Sequence, residues 1–241
     1  MSLENQERSL FLIKAEALAA WVTSNRSGAL IVNGNTPVAT RSSPLSFVCA
    51  RFVYELDQLP AAAKSNIVTL SFFCGQHVPS GETQNSPSGI VNSFIAQLLT
   101  QCKKLDVRDI LADLPPDFDN EDISHVLSVL AKLVKLFPPR VTIFCVIDAL
   151  SYYVDDNDTA EDAKELVRKL TRLASRQTKR QPLFKLMITA PTRLRLNESI
   201  PVHGAESLTL PSHVPNTGGF TARRWDFGIG KEISELGVVD N

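Results

Sequence analysis

The chain lacks the cysteine and histidine patterns that mark zinc sites or disulfide frameworks. Its four cysteines are widely spaced, form no CxxC pair, and include Cys49, Cys74 and Cys145 inside apolar runs. A free cysteine in such a run behaves as a small hydrophobe. We therefore expect buried, reduced thiols and an intracellular, cytoplasmic protein.

The sequence also lacks an excess of charge of one sign and a long hydrophobic run. Its formal net charge of -1 gives no support to binding of nucleic acid. The N-terminus is mixed in charge, because Lys14 and Glu16 interrupt its apolar face. It is neither a signal peptide nor a membrane-spanning segment, so that we expect no membrane partner.

Strand-like and helical segments alternate along the chain, which is typical of an α/β fold. The expected architecture has three layers, with a central, mainly parallel five-stranded sheet and helices on both faces. Apolar, β-branched segments predict five strands, at 29–32, 66–74, 141–148, 183–190 and 206–210.

We expect three parts along the chain. Apolar residues at helical spacing over 8–23 predict one amphipathic helix within an N-terminal part, 1–27. The α/β domain is expected over 28–210. Residues 211–241 are turn-rich and lack periodicity, which predicts an irregular, loosely attached tail.

A polar loop follows the first predicted strand, within NGNTPVATRSSPLSF at 33–47. A phosphate-binding loop has the form GxxxxGK[ST], in which backbone N–H groups and the lysine hold phosphates and the hydroxyl holds magnesium. The motif fits here only if one extra residue is allowed, and arginine then takes the place of lysine. The residues that would contact a nucleotide are Gly34, Asn35, Thr40, Arg41 and Ser42, with Ser42 as a metal ligand. The alternative is a plain strand-to-helix turn, with Ser43 as the helix cap.

Two other predicted strands end in polar residues. Asp148 closes the strand at 141–148, the usual place for a magnesium ligand in phosphate-loop ATPases. Thr189 ends the next strand and Arg193 follows it, so that both could reach a γ-phosphate. The alternatives are an aspartate that merely begins a loop and solvated arginines after a strand end.

The order of these segments resembles the fungal NACHT-type (nephrocystin-like) domains of the STAND class of P-loop NTPases. The resemblance covers residues 28–210, and its strongest parts are FFC followed by a helix of the SFIAQLL kind, and an apolar strand ending in Asp-Ala-Leu. It implies a P-loop NTPase-like fold and binding of Mg-ATP or Mg-GTP.

The chain departs from that family's pattern at three blocks. The family's Asp-Ala-Leu-Asp-Glu block is matched at 148–150, but Ser151 and Tyr152 stand where two acids are expected. In the family the first aspartate serves magnesium and the glutamate helps to activate water. The family's Thr-Ser-Arg-Pro block is similar to 189–193, with the serine lost and the arginine displaced. The lysine of the loop is missing as well.

The sequence therefore predicts a degenerate STAND-type domain, a pseudoenzyme that acts as a regulatory, scaffold or interaction module. We expect weak nucleotide binding and little or no hydrolysis, because general-base assistance alone is worth about 10²–10⁴ in rate. The expected partners are other proteins or other domains of a larger chain. Two alternatives stay open: a working ATPase or GTPase that uses Arg41, and a protein-interaction domain without nucleotide.

Overall fold

The structure is a computed structural model. It describes residues 1–36, 43–77, 85–102, 106–176, 178, 180–195 and 204–236. Five strands form one sheet in the order β2-β3-β4-β1-β5, and every neighbouring pair is parallel. Their bounds are β1 (Gly28–Asn33), β2 (Ile67–Phe73), β3 (Thr142–Asp148), β4 (Leu183–Ala190) and β5 (Ala205–Thr209). The five predicted strands and their parallel arrangement are confirmed.

Helices cover both faces of this sheet. Capping residues explain where two of them start. The Ser43 side chain accepts the N–H of Ser46 at the start of the helix that begins at Pro44. The Asp122 carboxylate accepts the N–H groups of Ser124 and His125 at the start of the helix that begins at Ile123. The helices of the described residues are α1 (Leu3–Ile13), α2 (Glu16–Thr23), α3 (Pro44–Gln58), α4 (Ala61–Lys64), α5 (Pro87–Gln101), α6 (Arg108–Ala112), α7 (Ile123–Lys135), α8 (Ser151–Val154), α9 (Ala160–Ser175), α10 (Ala222–Trp225) and α11 (Lys231–Glu235).

The side chains of the central strand alternate between two hydrophobic clusters. Ile143 and Ile147 point toward α5, α7 and α9, whereas Phe144 and Val146 point toward α1, α2 and α3. Both faces are buried, which explains the nearly continuous apolar run of β3. The predicted three-layer architecture is confirmed. Cys49, Cys74 and Cys145 are buried and all four cysteines are free, as expected.

The N-terminal segment forms two helices rather than the single helix predicted over 8–23. Ala15 has an extended backbone (φ -68°, ψ 126°) between α1 and α2. The break lets each helix bury its own apolar side chains, since Leu12 of α1 and both Leu18 and Val22 of α2 are at most 1% exposed. A continuous helix through Ala15 is therefore a wrong prediction.

The prediction of an irregular, loosely attached tail is wrong over residues 222–235. Trp225, Ile229 and Ile233 are at most 2% exposed and join the same hydrophobic cluster as α1, α2 and α3. Their spacing of four residues is typical of a helix. Turns that contain proline and glycine precede them, so that the periodicity of the whole 211–241 stretch is weak. The proposed boundaries at residues 27 and 210 stay predictions.

Candidate functional site

Asp148 lies at the carboxyl edge of the sheet and is 1% exposed. The hydroxyl of Thr189, on the neighbouring strand β4, donates a hydrogen bond of 2.6 Å to its carboxylate. The N–H of Ala149 donates to the same hydroxyl at 3.1 Å. The parallel register of β3 and β4 thus brings together two residues that the sequence assigns to one site.

A second element places polar groups beside Asp148. The Ser46 hydroxyl and the Cys49 thiol, both on α3, lie close to its carboxyl group and act to lower its pKa. Burial has the larger effect and raises the pKa of Asp148 above its ordinary value, so that Thr189, Ser46 and Cys49 offset only part of it. Burial and the nearby Asp148 also raise the pKa of Cys49, so that its thiol stays protonated.

Ser46 is a site residue that the sequence interpretation missed. Its hydroxyl also bonds the backbone N–H of Ser43 in a capping box, a role that is visible in the SPLS segment. Ser46 also lies beside Asp148, which is far from it in the chain, and no local sequence pattern predicts that contact. The predicted metal ligand Ser42 lies outside the described residues, as do Thr40 and Arg41, and their roles stay predictions.

Gly34 and Asn35 begin the loop after β1, where chain packing explains the glycine. A Cβ atom at Gly34 would lie 2.4 Å from the carbonyl oxygen of Pro191. The Gly34 N–H donates to the Ala190 carbonyl at 2.7 Å, and the Thr36 N–H donates to that of Pro191 at 3.0 Å. Asn35 adopts a left-handed conformation with φ 54°. The start of the loop is therefore fixed by the segment that follows β4.

Arg193 belongs to that same segment, and its side chain is exposed. The next residue is anchored, because the Leu194 N–H donates to the Asn33 side-chain oxygen at 2.8 Å. Arg193 therefore stands beside the loop after β1 with its side chain open to solvent.

Arg8 is a further residue that the sequence interpretation missed. Its side chain comes from α1, is 4% exposed, and donates to the carbonyl oxygen of Gly34. The same guanidinium donates to the carbonyl oxygens of Pro211 at 3.1 Å and Ser212 at 3.4 Å. A buried cation thus contacts the first residue of the candidate phosphate loop.

The described part of the carboxyl edge holds no cluster of ionisable metal-binding side chains. Within the ranges that the structure describes, no group of three or more histidine, cysteine, aspartate or glutamate side chains could hold a metal ion. The N-terminus of the 15-residue helix α3 lies near Asp148, and a helix N-terminus favours an anion. The arrangement can offer hydroxyl groups and a helix N-terminus to a phosphate.

The model of the nephrocystin 3 N-terminal family matches residues 10–190. The chain belongs to this family. The match confirms the nephrocystin-like resemblance, and it begins inside α1, upstream of the predicted start at residue 28. The fungal origin stays a prediction.

Two other comparisons give no further information on the function of this nephrocystin-like domain. No curated protein sequence matches it. The ORC1 protein of Aeropyrum pernix, solved in complex with DNA, is similar in structure, with 14% sequence identity and a TM-score of 0.47. The similarity covers 98% of this chain and 50% of that one, so that the chain spans half the length of that protein. At this level the similarity carries no conclusion about function.

The two positions that follow Asp148-Ala149-Leu150 supply no carboxylate to the nephrocystin-like domain. Ala149 has φ 61° and turns the chain sharply, and the Leu150 N–H then donates to the Thr189 carbonyl at 2.9 Å. Ser151 is 1% exposed at the start of α8, and Tyr152 is half-buried. The two positions at which the resemblance implies acids therefore hold a buried hydroxyl and a phenol.

Proposed function

We propose that this nephrocystin-like domain is a degenerate nucleotide-binding module that has a regulatory, scaffold or interaction role and hydrolyses nucleotide slowly or not at all. The observation that carries the proposal is the state of Asp148. Its carboxyl group is buried, accepts a hydrogen bond from Thr189 and lies beside Ser46 and Cys49, and Ser151 and Tyr152 stand where two further acids are expected.

Burial of Asp148 opposes its use as a magnesium ligand. Magnesium binds carboxylates in the ionised form, and burial favours the protonated form of Asp148. Its hydrogen bond from Thr189 and its contacts with Ser46 and Cys49 would also have to rearrange around a metal ion. If magnesium binds with a nucleotide, Asp148 and Ser42 would hold it, and the cost of ionising Asp148 weakens that binding.

The positions after Asp148 oppose hydrolysis. A water molecule that attacks a phosphate needs a group to orient it or accept its proton, and such assistance is worth about 10²–10⁴ in rate. Ser151 and Tyr152 are poor bases at neutral pH. The proposed module therefore binds Mg-ATP or Mg-GTP weakly through Gly34, Asn35, Thr40, Arg41 and Ser42, with Thr189 and Arg193 beside the phosphate.

A second candidate function is a protein-interaction domain that binds no nucleotide. Two observations favour it, since packing against Pro191 accounts for Gly34 and hydrogen bonds within the protein satisfy Asp148. Both candidates share the proposed partners, namely other proteins or other domains of a larger chain, and a cytoplasmic location. In the described residues no helix is long and apolar enough to cross a membrane.

A thermal-denaturation titration with ATP and GTP, each with magnesium and with EDTA, tests the proposal. A ligand stabilises the folded state by about 0.4 kcal/mol when it is present at its Kd and by about 2.7 kcal/mol at a hundredfold excess. We expect a small rise in midpoint at millimolar nucleotide that depends little on magnesium. Asp148→Asn should leave this rise unchanged, as should the control Asp117→Asn at an exposed position.

Two results would redirect the assignment. Tight, magnesium-dependent stabilisation that both Arg41→Ala and Asp148→Asn abolish would overturn the proposal in favour of a working ATPase or GTPase. The absence of any shift with millimolar ATP, GTP or ADP would replace it with the interaction domain.

A further inference from the structure

The carboxylate of Glu7, on α1, is bound by a turn of the C-terminal segment. Its Oε1 atom accepts the backbone N–H groups of Thr217 at 2.6 Å and Gly219 at 2.7 Å, and its Oε2 atom accepts the Thr217 hydroxyl at 2.7 Å. Gly218 and Gly219 have φ of 98° and 74°, which lets the N–H groups of Thr217 and Gly219 converge on one carboxylate oxygen. Glu7 is 2% exposed, so that its carboxylate is almost inaccessible to solvent at this site.

The turn is also held from its other side. The guanidinium of Arg224 donates to the carbonyl oxygen of Gly219 at 2.6 Å and to that of Thr217. A Cβ atom at Gly219 would lie 2.5 Å from the side-chain oxygen of Gln6, so that α1 approaches the turn closely. The turn and α1 therefore fit each other as a built contact rather than a chance approach.

The next residue of α1 binds two other places in the fold. Arg8 donates to the carbonyl oxygen of Gly34 in the loop after β1, and also to those of Pro211 and Ser212. Hydrogen bonds from a charged donor are about twice as strong as neutral ones, and a buried cation that loses them is costly. Movement of the Gly34 carbonyl would therefore disturb a group that also holds the segment after β5.

We propose that Glu7 and Arg8 form a latch that couples the loop after β1 to the C-terminal segment, residues 211–236. When the latch is closed, the segment stays docked and buries Trp225, Ile229 and Ile233 against α1, α2 and α3. When either end moves, the other end loses its anchor. The docked and undocked segment supplies the two states that a coupling of this kind requires. The latch joins two parts of the chain and does not depend on nucleotide binding.

Hydrogen–deuterium exchange on the full chain tests the latch, with Glu7→Gln as the variant and Glu4→Gln as its control on the exposed first turn of α1. Glu7→Gln should raise amide exchange in 214–236 on the order of tenfold, as expected for the loss of a charge-assisted hydrogen bond. It should also raise exchange at the amides of Gly34 and Thr36, which lie at the other end of the latch. Exchange in β3 of the Glu7→Gln protein should not change. Exchange throughout the Glu4→Gln protein should equal that of the wild type.

Two outcomes would overturn the proposal. Faster exchange in 214–236 with unchanged amides at Gly34 and Thr36 would show that the two ends are independent. A uniform rise that includes β3 would show that Glu7 serves only global stability. If Glu7→Gln does not yield folded protein, Thr217→Ala is the second variant, because it removes one of the three hydrogen bonds to the Glu7 carboxylate. Exchange in 214–236 is then compared with exchange at the Gly34 and Thr36 amides in the same way, with the same two outcomes.

Discussion

Asp148 contacts two elements, since Thr189 lies on β4 while Ser46 and Cys49 lie on α3. These contacts place the first turns of α3 against the carboxyl edge of the sheet. They leave the carboxyl group buried, and burial favours its protonated form. The side chain of Asp148 is thus part of the packing between β4 and α3.

Asp148→Asn is expected to preserve or raise stability at neutral pH. The pKa of Asp148 in the folded state lies above its ordinary value of 3.8, so that protonation of Asp148 favours the folded state. This contribution to the free energy of unfolding is complete below pH 3.8 and is lost as the pH rises through the folded-state pKa. Asparagine removes the buried charge. The urea midpoint of the variant should equal or exceed that of the wild type at pH 7, and this advantage should shrink near pH 4. A loss of more than about 1 kcal/mol at pH 7, which is a typical hydrogen-bond contribution, would mean that the ionised carboxylate stabilises the fold.

Gly34→Ala is expected to destabilise the fold by about 1–3 kcal/mol, the usual cost of overpacking. The added Cβ atom would meet the Pro191 carbonyl at 2.4 Å, and the backbone there cannot retreat without breaking its bonds to the loop. Gly28→Ala, at the other end of β1, is the matched control, because nothing lies within 4 Å of its Cβ position. Equal urea midpoints for the two variants would contradict the packing role assigned to Gly34.

At the scale of single elements, β2 is the sheet edge whose backbone is covered by side chains of α5. The side-chain amide of Gln97 accepts the Ser71 N–H at 3.0 Å and donates to the Ser71 carbonyl at 2.9 Å. Gln101 donates to the Thr69 carbonyl at 2.8 Å. A cavity of about 710 Å³ runs beside this edge. The two glutamines therefore occupy hydrogen-bonding groups that an added strand could otherwise use.

Gln97→Ala is expected to lower the free energy of unfolding by about 1 kcal/mol, because two hydrogen bonds to β2 and one to the Ser93 hydroxyl are lost next to a cavity that water can enter. It should also increase concentration-dependent association, since the edge of β2 becomes available to another chain. Thr100→Ala, on an exposed position of the same helix, is the control. Urea denaturation and light scattering measure the two effects. A variant that is as stable and as monomeric as the control would show that Gln97 does not protect the edge.

The elements that sequence predicted correctly are those with a local signal. The run TIFCVID needs burial on both faces, so that β3 could be assigned from its apolar residues alone. The bond between Glu7 and Thr217 joins residues 210 positions apart, and nothing near either residue indicates it. Ser46 was visible only as part of a capping box. The sequence thus predicted the strands and assigned Asp148 and Thr189 to one candidate site, but it did not indicate the hydrogen bond between them or the contacts that come from α1 and α3.

At the scale of the whole molecule, both ends of the described chain pack on the same face of the sheet. Trp225 is fully buried there, with the guanidinium of Arg51 5.4 Å from its ring centroid. The ring of Phe220 contacts that of Phe47 on α3, with centroids 4.9 Å apart. The C-terminal segment is therefore part of the folded unit, which the absence of periodicity in its sequence did not suggest.

Trp225→Ala is expected to destabilise the whole unit by about 3–5 kcal/mol, the usual cost of removing a large buried aromatic side chain. Phe227→Ala is the matched control, because Phe227 belongs to the same segment and is 78% exposed. Urea denaturation followed by both far-UV circular dichroism and tryptophan fluorescence makes the comparison. If Trp225→Ala unfolded only the C-terminal segment and left the main transition in place, the segment would be an independent appendage.

Steady-state phosphate release by the full chain in millimolar Mg-ATP, repeated with Mg-GTP, tests the central claim most directly. The claim is that a nephrocystin-like domain has kept the α/β fold while Asp148 is tied into packing and no acid stands at positions 151 and 152. The predicted result is a rate that cannot be distinguished from the same assay with Asp148→Asn. Turnover of about 1 per second by the wild type, at the lower end of ordinary enzymes, would contradict it.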